Sequence, residues 1–354
     1  MTWAEGTSLE FVNSAGNSAI ARVDLGTLSL AASESKPHGL SFKTNADVTG
    51  SSFSAAQNTS KVPAISVSNN SVVNYRVTTS SFNDRALISV DQGSTLNVYK
   101  KLDVDKFGID FKVGGTFNYY ENLITLGNAN ITGTFNAKQI EFKAGTSKLS
   151  GNAVINTEGP VYIDGTTLTI SDNATVKLTK ETGSVESKII LNSSGNLTIA
   201  AKNAISYEDG LADIRVSGAR QAASLIISAD NKFNNLIFNR QDYNEYLNLS
   251  VIDGAKLFFN AIAFDSTSKN ANLKITKFSE FSIFFKDISG WDVLASVALS
   301  DTEGNEYRKD ELKWIAGKYD GVDGYWLSTV PEPATYAAVF GAFALALAIY
   351  RRRK

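Results

Sequence analysis

Short alternations of apolar and polar residues occupy the chain from residue 9 to about residue 263. Helical spacing of apolar residues is hard to find there, whereas alternation is common, as in segments 87–90, 96–99 and 168–170. Gly, Asn and Asp separate these segments and are typical turn residues. The pattern therefore predicts many short β-strands, each with one buried face and one wet face.

One form recurs within this pattern: a glycine, one or two polar residues, and then an apolar–polar–apolar strand. It begins at Gly93, Gly115, Gly133, Gly165 and Gly195. The first two intervals are 22 and 18 residues, Gly145 precedes Gly165 by 20, and Gly195 follows after 30. A repeat near twenty residues suits one coil of a parallel β-helix, in which stacked coils bury what a single coil cannot. Asparagines inside such repeats can form ladders. An antiparallel sandwich or a meander is the alternative.

Aromatic residues become dense after residue 258, and three of the four tryptophans, Trp291, Trp314 and Trp326, lie in the last fifth of the chain. Short alternating segments beginning at Leu273 predict antiparallel strands, with hairpin turns at 301–306 and 321–324. We therefore expect a solenoid body over residues 1–270 and a small antiparallel β cap over 271–329 that covers the open solenoid end. Core packing is the first interpretation of these aromatics, and a sugar-binding platform is the alternative.

The last 25 residues have a different character. Val330 is followed by Pro-Glu-Pro, an uncharged apolar run over 334–350, and four cations over 351–354. As a helix the run would be about 25 Å long, close to the roughly 30 Å of hydrocarbon in a bilayer. The cations should stay in the cytoplasm, which places the body on the outer side. The sequence thus predicts one C-terminal transmembrane α-helix.

This order of features at the chain terminus resembles the PEP-CTERM sorting signal of bacterial exported proteins. The resemblance covers residues 330–354 and implies processing by an exosortase, a membrane-embedded transpeptidase. It assigns Pro331, Glu332 and Pro333 to recognition and makes Arg351, Arg352 and Arg353 the cytoplasmic stop. The residues of the implied membrane span that carry its small-residue and apolar character are Ala334, Ala338, Gly341, Ala342, Leu345, Ala346 and Tyr350.

Composition narrows the function classes. The formal net charge is −2, and because 331–354 carries +3, the body carries −5, which argues against nucleic-acid binding. Cysteine is absent, so disulfides, thiol catalysis and cysteine-ligated metals are excluded. The first twenty residues contain no signal-peptide pattern. Because an exported protein needs one, we expect the chain to begin part-way through a longer protein.

Few residues suggest catalysis. His38 is the sole histidine and lies in a predicted surface turn, so neither a zinc site of the usual ligand types nor a Cys-His dyad can be built, and a Ser-His-Asp triad would depend on His38 alone. A carboxylate-dependent polysaccharide hydrolase or lyase needs acids converging on one face. The candidate acids are Asp103, Asp105, Asp110, Asp209, Asp213 and Asp230. We interpret them first as solvated turn charges, and expect neither a metal nor a cofactor.

The Gly/Asn/Thr-rich strand and turn pattern of the body is also similar to autotransporter passengers and other bacterial surface β-helices. The sequence therefore predicts a non-catalytic scaffold or adhesin of the bacterial cell surface or extracellular matrix, with extracellular polysaccharide as a candidate partner. The polysaccharide-degrading enzyme is the alternative. An autotransporter-type adhesin is a third option, but those proteins end in a membrane β-barrel rather than a helical anchor.

Overall fold

The computed structural model describes residues 8–12, 20–30, 39–55, 62–82, 86–104, 107–179, 188–208, 210–217, 221–238, 245–264 and 271–329. Within these ranges the chain forms 36 β-strands and one short 3₁₀ helix, Ser289–Val293. The strands are only three to nine residues long, and glycine, asparagine or aspartate interrupts many of the alternating segments.

The first eighteen strands lie between residues 8 and 149. They are β1 (Ser8–Phe11), β2 (Ala21–Asp24), β3 (Thr27–Leu30), β4 (Gly39–Phe42), β5 (Ala46–Thr49), β6 (Ser52–Ala55), β7 (Ile65–Val67), β8 (Val72–Tyr75), β9 (Thr79–Phe82), β10 (Leu87–Val90), β11 (Thr95–Val98), β12 (Leu102–Val104), β13 (Ile109–Val113), β14 (Thr116–Tyr119), β15 (Leu123–Ile131), β16 (Thr134–Ala137), β17 (Gln139–Phe142) and β18 (Thr146–Leu149).

The second eighteen continue to residue 328. They are β19 (Val154–Thr157), β20 (Val161–Ile163), β21 (Thr167–Ile170), β22 (Thr175–Leu178), β23 (Lys188–Leu191), β24 (Asn196–Ile199), β25 (Ile205–Tyr207), β26 (Asp213–Val216), β27 (Ala223–Ile227), β28 (Asn231–Phe238), β29 (Glu245–Val251), β30 (Leu257–Phe264), β31 (Ala271–Phe278), β32 (Ile283–Phe285), β33 (Ser296–Asp301), β34 (Glu306–Arg308), β35 (Lys313–Tyr319) and β36 (Val322–Ser328).

The strands wind into a parallel β-solenoid. In the N-terminal coils each turn of chain contributes one strand to each of three sheets, as β1, β2 and β3 do, and each strand pairs in parallel with its counterpart in the next coil. One sheet contains β2, β5, β8, β11, β14, β16, β19, β22 and β25 in that order. We call it the nine-stranded sheet. The predicted parallel β-helix is confirmed.

The core is a set of inward-facing rows that run along the solenoid. Leu96, Phe117, Phe135 and Ile155 occupy the same register position in four successive coils, and all four are fully buried. The Phe117 and Phe135 ring centroids are 4.8 Å apart, one coil spacing. Each buried side chain therefore packs on the same position of the next coil, which is how a chain of very short strands acquires a continuous core.

The glycine-led strands do not all occupy one face, as a single repeat would require. The strands after Gly93, Gly115 and Gly133 (β11, β14 and β16) lie in the nine-stranded sheet. Those after Gly165 and Gly195 (β21 and β24) lie in the large 23-stranded sheet. The interval between Gly133 and Gly165 therefore spans two faces and is not a coil length. The motif marks a corner followed by a strand, and the solenoid has several such corners per coil.

An antiparallel cap closes the C-terminal end. β34 pairs antiparallel with β33, while β36 pairs antiparallel with both β32 and β35. Asp301 Oδ1 accepts from the main-chain N–H groups of Glu303 and Asn305 at 2.9 and 2.8 Å, which fixes the first predicted hairpin turn. The second turn is centred on Asp320 and Gly321, both with left-handed φ, so it lies two residues before the predicted segment.

The strand containing Leu273 contradicts one expectation within this region. We predicted it to be antiparallel, but β31 pairs in parallel with β29 on one side and β33 on the other. Leu273 and Ile275 point inward and are buried, so they extend the solenoid core by another coil. Alternation with a period of two is the same in parallel and antiparallel strands, so the pattern could not decide the direction.

The chain leaves the cap at Thr329, whose main-chain N–H donates to Glu280 Oε1 at 2.9 Å. The predicted sorting signal and transmembrane helix, Pro331 to Lys354, lie outside the described residues. Among the residues that are described, no helix has both the length and the apolar character needed to cross a membrane.

Candidate functional site

Three of the acids considered for catalysis accept hydrogen bonds from the next coil. Asp110 Oδ1 accepts from the main-chain N–H of Asn128 at 2.7 Å. Asp213 Oδ1 accepts from the Asn235 N–H at 3.0 Å. A carboxylate used in this way satisfies backbone donors at a corner of the next coil, so it is held for a structural reason.

The remaining candidate acids are held between coils, exposed at the surface or outside the described residues. Asp230 Oδ1 accepts from the Lys256 N–H at 2.9 Å, and Asp103 forms an exposed ion pair with Lys101 at 2.6 Å. Asp105, Asp209 and His38 lie outside the described residues. In the described part of the chain, no three His, Asp, Glu or Cys side chains are grouped as a metal ion would require.

A ladder of asparagines runs along the outer face of the nine-stranded sheet. Asn74, Asn97, Asn118, Asn136 and Asn156 occupy one register position in five successive coils. Each Nδ2 donates to the Oδ1 of the asparagine one coil earlier, at 2.9, 2.7, 2.6 and 2.7 Å. The residues so joined are 23, 21, 18 and 20 positions apart. We call this row the asparagine ladder, and it confirms the predicted ladder.

The ladder has a direction and charged ends. Every amide donates toward the N-terminal end, where Asn74 Nδ2 meets Asp47 Oδ1 at 2.7 Å. The register position after Asn156 is held by Lys177. The amide dipoles are therefore aligned, and the carboxylate at their donor end favours the alignment.

A stack of three planar groups runs beside the ladder, two residues further along each strand. The Arg76 guanidinium carbon lies 3.7 Å from the centre of the Tyr99 ring. Tyr99 in turn stacks on Tyr120 with centroids 4.7 Å apart and planes 8° from parallel. We call this row the tyrosine stack. It is a surface feature, since 49% of Tyr120 is exposed, and the coil spacing holds its rings at stacking distance.

An open groove of about 230 Å³ begins where the tyrosine stack ends. Tyr120 forms one wall, and the two coils that follow contribute ladder amides, a cation and a carboxylate. The lining residues are Asn118, Tyr119, Tyr120, Asn136, Ala137, Lys138, Asn156, Thr157, Glu158 and Thr179. Thr157 Oγ1 donates to the Lys138 carbonyl at 2.7 Å, so this hydrogen bond joins two of the coils that line the groove.

The two tyrosines at the groove differ in burial but share a protonation state. Burial raises the pKa of Tyr119 to about 12. The pKa of Tyr120 is raised, mainly by partial desolvation and to a smaller extent by the adjacent Tyr99. The positive charge of Arg76 opposes this shift. Both phenols are therefore neutral at physiological pH, and each can donate one hydrogen bond.

Most of the C-terminal aromatics form a packed core, as first interpreted, whereas Phe281 and Tyr325 are exposed. Phe284, Phe285 and Trp291 are at most 5% exposed, and Trp291 meets Trp314 edge to face at 4.8 Å. Their faces are used against one another, so the surface suited to a ligand is the tyrosine stack on the nine-stranded sheet. This stack was not predicted from the sequence. Its signal was the repeated Asn-x-Tyr spacing at Asn97–Tyr99 and Asn118–Tyr120.

Replacing Asn118 with aspartate is expected to destabilise the chain by about 2 kcal/mol at pH 7, because a carboxylate cannot donate to Asn97 Oδ1 and the two oxygens repel. That repulsion raises the pKa of the introduced carboxyl in the folded state. The loss should therefore be small below about pH 4, where the protonated carboxyl donates, and grow as the pH rises.

Urea unfolding at pH 3.5 and 7 measures this effect. Asn248→Asp is the matched control, because Asn248 is also half-buried in a strand but lies outside the ladder. A loss at Asn118 that equals the control, or that does not change with pH, would contradict a hydrogen-bonded ladder.

Comparisons with known proteins do not identify a family for this chain. No protein-family model matches the chain. No curated protein matches it in sequence. No solved structure matches its fold.

Proposed function

We propose that this chain is an exported, non-catalytic scaffold of the bacterial cell surface or extracellular matrix, with an adhesive face. The observation that carries the proposal is the asparagine ladder, which repeats the same hydrogen-bonding group at each coil over five coils. A rigid, regularly spaced polar face is suited to holding an extended polymer, such as extracellular polysaccharide, along its length.

The use of the acidic side chains favours this proposal over a polysaccharide hydrolase or lyase. Asp110, Asp213 and Asp230 each accept a main-chain hydrogen bond from the following coil. A general acid or a nucleophile must instead present its carboxyl group to substrate. The scaffold explains why these acids are placed at coil corners.

The C-terminal residues supply the second half of the proposal. We infer that Pro331, Glu332 and Pro333 are read by an exosortase-type transpeptidase, that residues 334–350 span the inner membrane, and that Arg351–Arg353 stay in the cytoplasm. The support is the order of these features in the sequence and the position of Thr329, the last described residue, on the outside of the cap. The protein would be anchored transiently and then held at the surface or released.

Replacing Glu332 with glutamine is expected to slow release from the membrane about tenfold or more. We expect the two flanking prolines to restrict the backbone at Glu332, so that a charge-assisted hydrogen bond from the processing enzyme to its carboxylate contributes about 1.5–3 kcal/mol. The measurement compares anchored and released chain over time in a host that carries an exosortase.

The same host without the exosortase is the first control and should retain both chains in the membrane. Glu280→Gln is the matched variant, since it removes a carboxylate beside Thr329 without touching the signal. Equal release of the native and Glu332→Gln chains would leave the terminal segment as an ordinary anchor.

A further inference from the structure

We infer that the groove at the end of the tyrosine stack binds one pyranose ring of an extended neutral polysaccharide, with the flat face of the sugar against Tyr120. This inference rests on the adhesive part of the proposed function. It does not depend on how the chain is exported or sorted.

The first support for this inference is that the last ring of the tyrosine stack, Tyr120, has one uncovered face. Arg76 and Tyr120 cover the two faces of Tyr99, whereas Tyr120 has only one face covered by a ring. In the ranges that the structure describes, no other ring and no cation is placed over its second face, and half of the residue is exposed. The next coil has Lys138 where another aromatic would continue the row. A sugar ring bound there would extend the stack by one coil.

The second support is the hydrogen-bonding capacity beside that face. A side-chain amide has two N–H donors and two acceptor lone pairs. Within the ladder Asn136 uses one N–H toward Asn118 and one lone pair toward Asn156. One donor and one acceptor therefore remain on the amide for ligand hydroxyl groups. Because the ladder already fixes its orientation, binding costs little side-chain entropy.

The third support is the charge at the rim, which selects a neutral ligand. Lys138 and Glu158 line the same groove, so it carries one cation and one anion. A pyranose offers a C–H face to an aromatic ring and hydroxyl groups around its edge, which can accept from the ammonium group and donate to the carboxylate. A polyanion would place charge beside Glu158 and is disfavoured.

A sugar ring parallel to Tyr120 has its glycosidic bonds in the plane of the ring, so a polymer bound there would run across the stack rather than along it. Neighbouring units of the polymer would therefore lie to either side of the bound ring, over the coils that line the groove. Contacts repeated in this way raise the affinity for a long chain over that for a monosaccharide.

The test is affinity electrophoresis of the full chain in native gels that contain hydroxyethyl cellulose, galactomannan, xyloglucan or dextran. At least one polysaccharide should retard the native chain. Tyr120→Ala should lower that affinity about tenfold or more, the usual cost of truncating an aromatic anchor. Tyr120→Phe should stay within about threefold, because the ring face makes the contact.

Tyr246→Ala is the matched control, since Tyr246 is 40% exposed on a strand of the 23-stranded sheet. This variant should bind polysaccharide like the native chain. Unfolding midpoints of all variants show whether Tyr120→Ala is folded. Retardation of that variant equal to the native chain would overturn the site while leaving an adhesive function elsewhere on the solenoid. No retardation of the native chain by any of the four polymers would overturn both the site and the polysaccharide partner.

Adenosine separates sugar binding from general stacking of planar rings. Displacement of the bound polysaccharide by its own soluble oligosaccharide, and not by adenosine, supports the inference. Displacement by adenosine alone would contradict it.

Discussion

Gly133→Ala is expected to destabilise the solenoid by about 3 kcal/mol or more. A Cβ at this position would lie 2.1 Å from the carbonyl oxygen of Gly115 and 2.5 Å from that of Gly114. Both atoms are backbone of the preceding coil, so neither can move without breaking the parallel pairing of β14 with β16. Glycine is required here by the close approach of two coils.

Gly151 provides the matched control. Its φ is +64°, but a Cβ there would meet nothing within 4 Å. Alanine should therefore cost only about 1–2 kcal/mol from the left-handed backbone, and asparagine, which tolerates that region, still less. At Gly133, asparagine should be as disruptive as alanine. Urea unfolding followed by circular dichroism measures all four variants, and equal losses at the two sites would contradict the steric account.

Phe284→Ala is expected to cost about 3–5 kcal/mol and to loosen the cap. The ring is fully buried between the last coil and the β35–β36 hairpin. Its centroid lies 5.5 Å from that of Phe258, 5.9 Å from Tyr319 and 5.0 Å from Trp326. Truncation would leave a cavity lined by these three rings. The hairpin cannot readily collapse into that cavity, because the Lys232–Asp320 ion pair also holds its tip.

Phe281 is the matched control, since it also meets the Trp326 ring edge to face, at 6.4 Å, but is 39% exposed. Phe281→Ala should cost less than about 1 kcal/mol. Urea unfolding measures both losses. Light scattering should detect association of Phe284→Ala, because a displaced β36 leaves the β32 edge unpaired. Similar stability and light scattering in the two variants would indicate that the cap does not depend on this ring.

Part of the candidate site, the asparagine ladder, could be predicted from the sequence. The repeated apolar–Asn–apolar strands placed an asparagine at the same position of several coils, and a parallel stack brings such positions together. Tyr99 and Tyr120 follow those asparagines at the same spacing, yet the sequence did not reveal their stacking. Whether two surface rings meet depends on how each strand turns at its end, which the alternation of apolar residues does not encode.

Local sequence by itself determined which side chains of each strand point inward, because a period of two is a property of the extended backbone. It also determined the length near twenty residues of the central coils and the change to an aromatic cap, whereas the first coil is longer, with 31 residues between the paired Ser8 and Gly39. Tertiary structure alone decided that β31 pairs in parallel, that the glycine-led strands divide between two faces, and that Gly133 lies against the preceding coil. These features depend on contacts between residues about twenty positions apart, and only the closed coil brings such residues together.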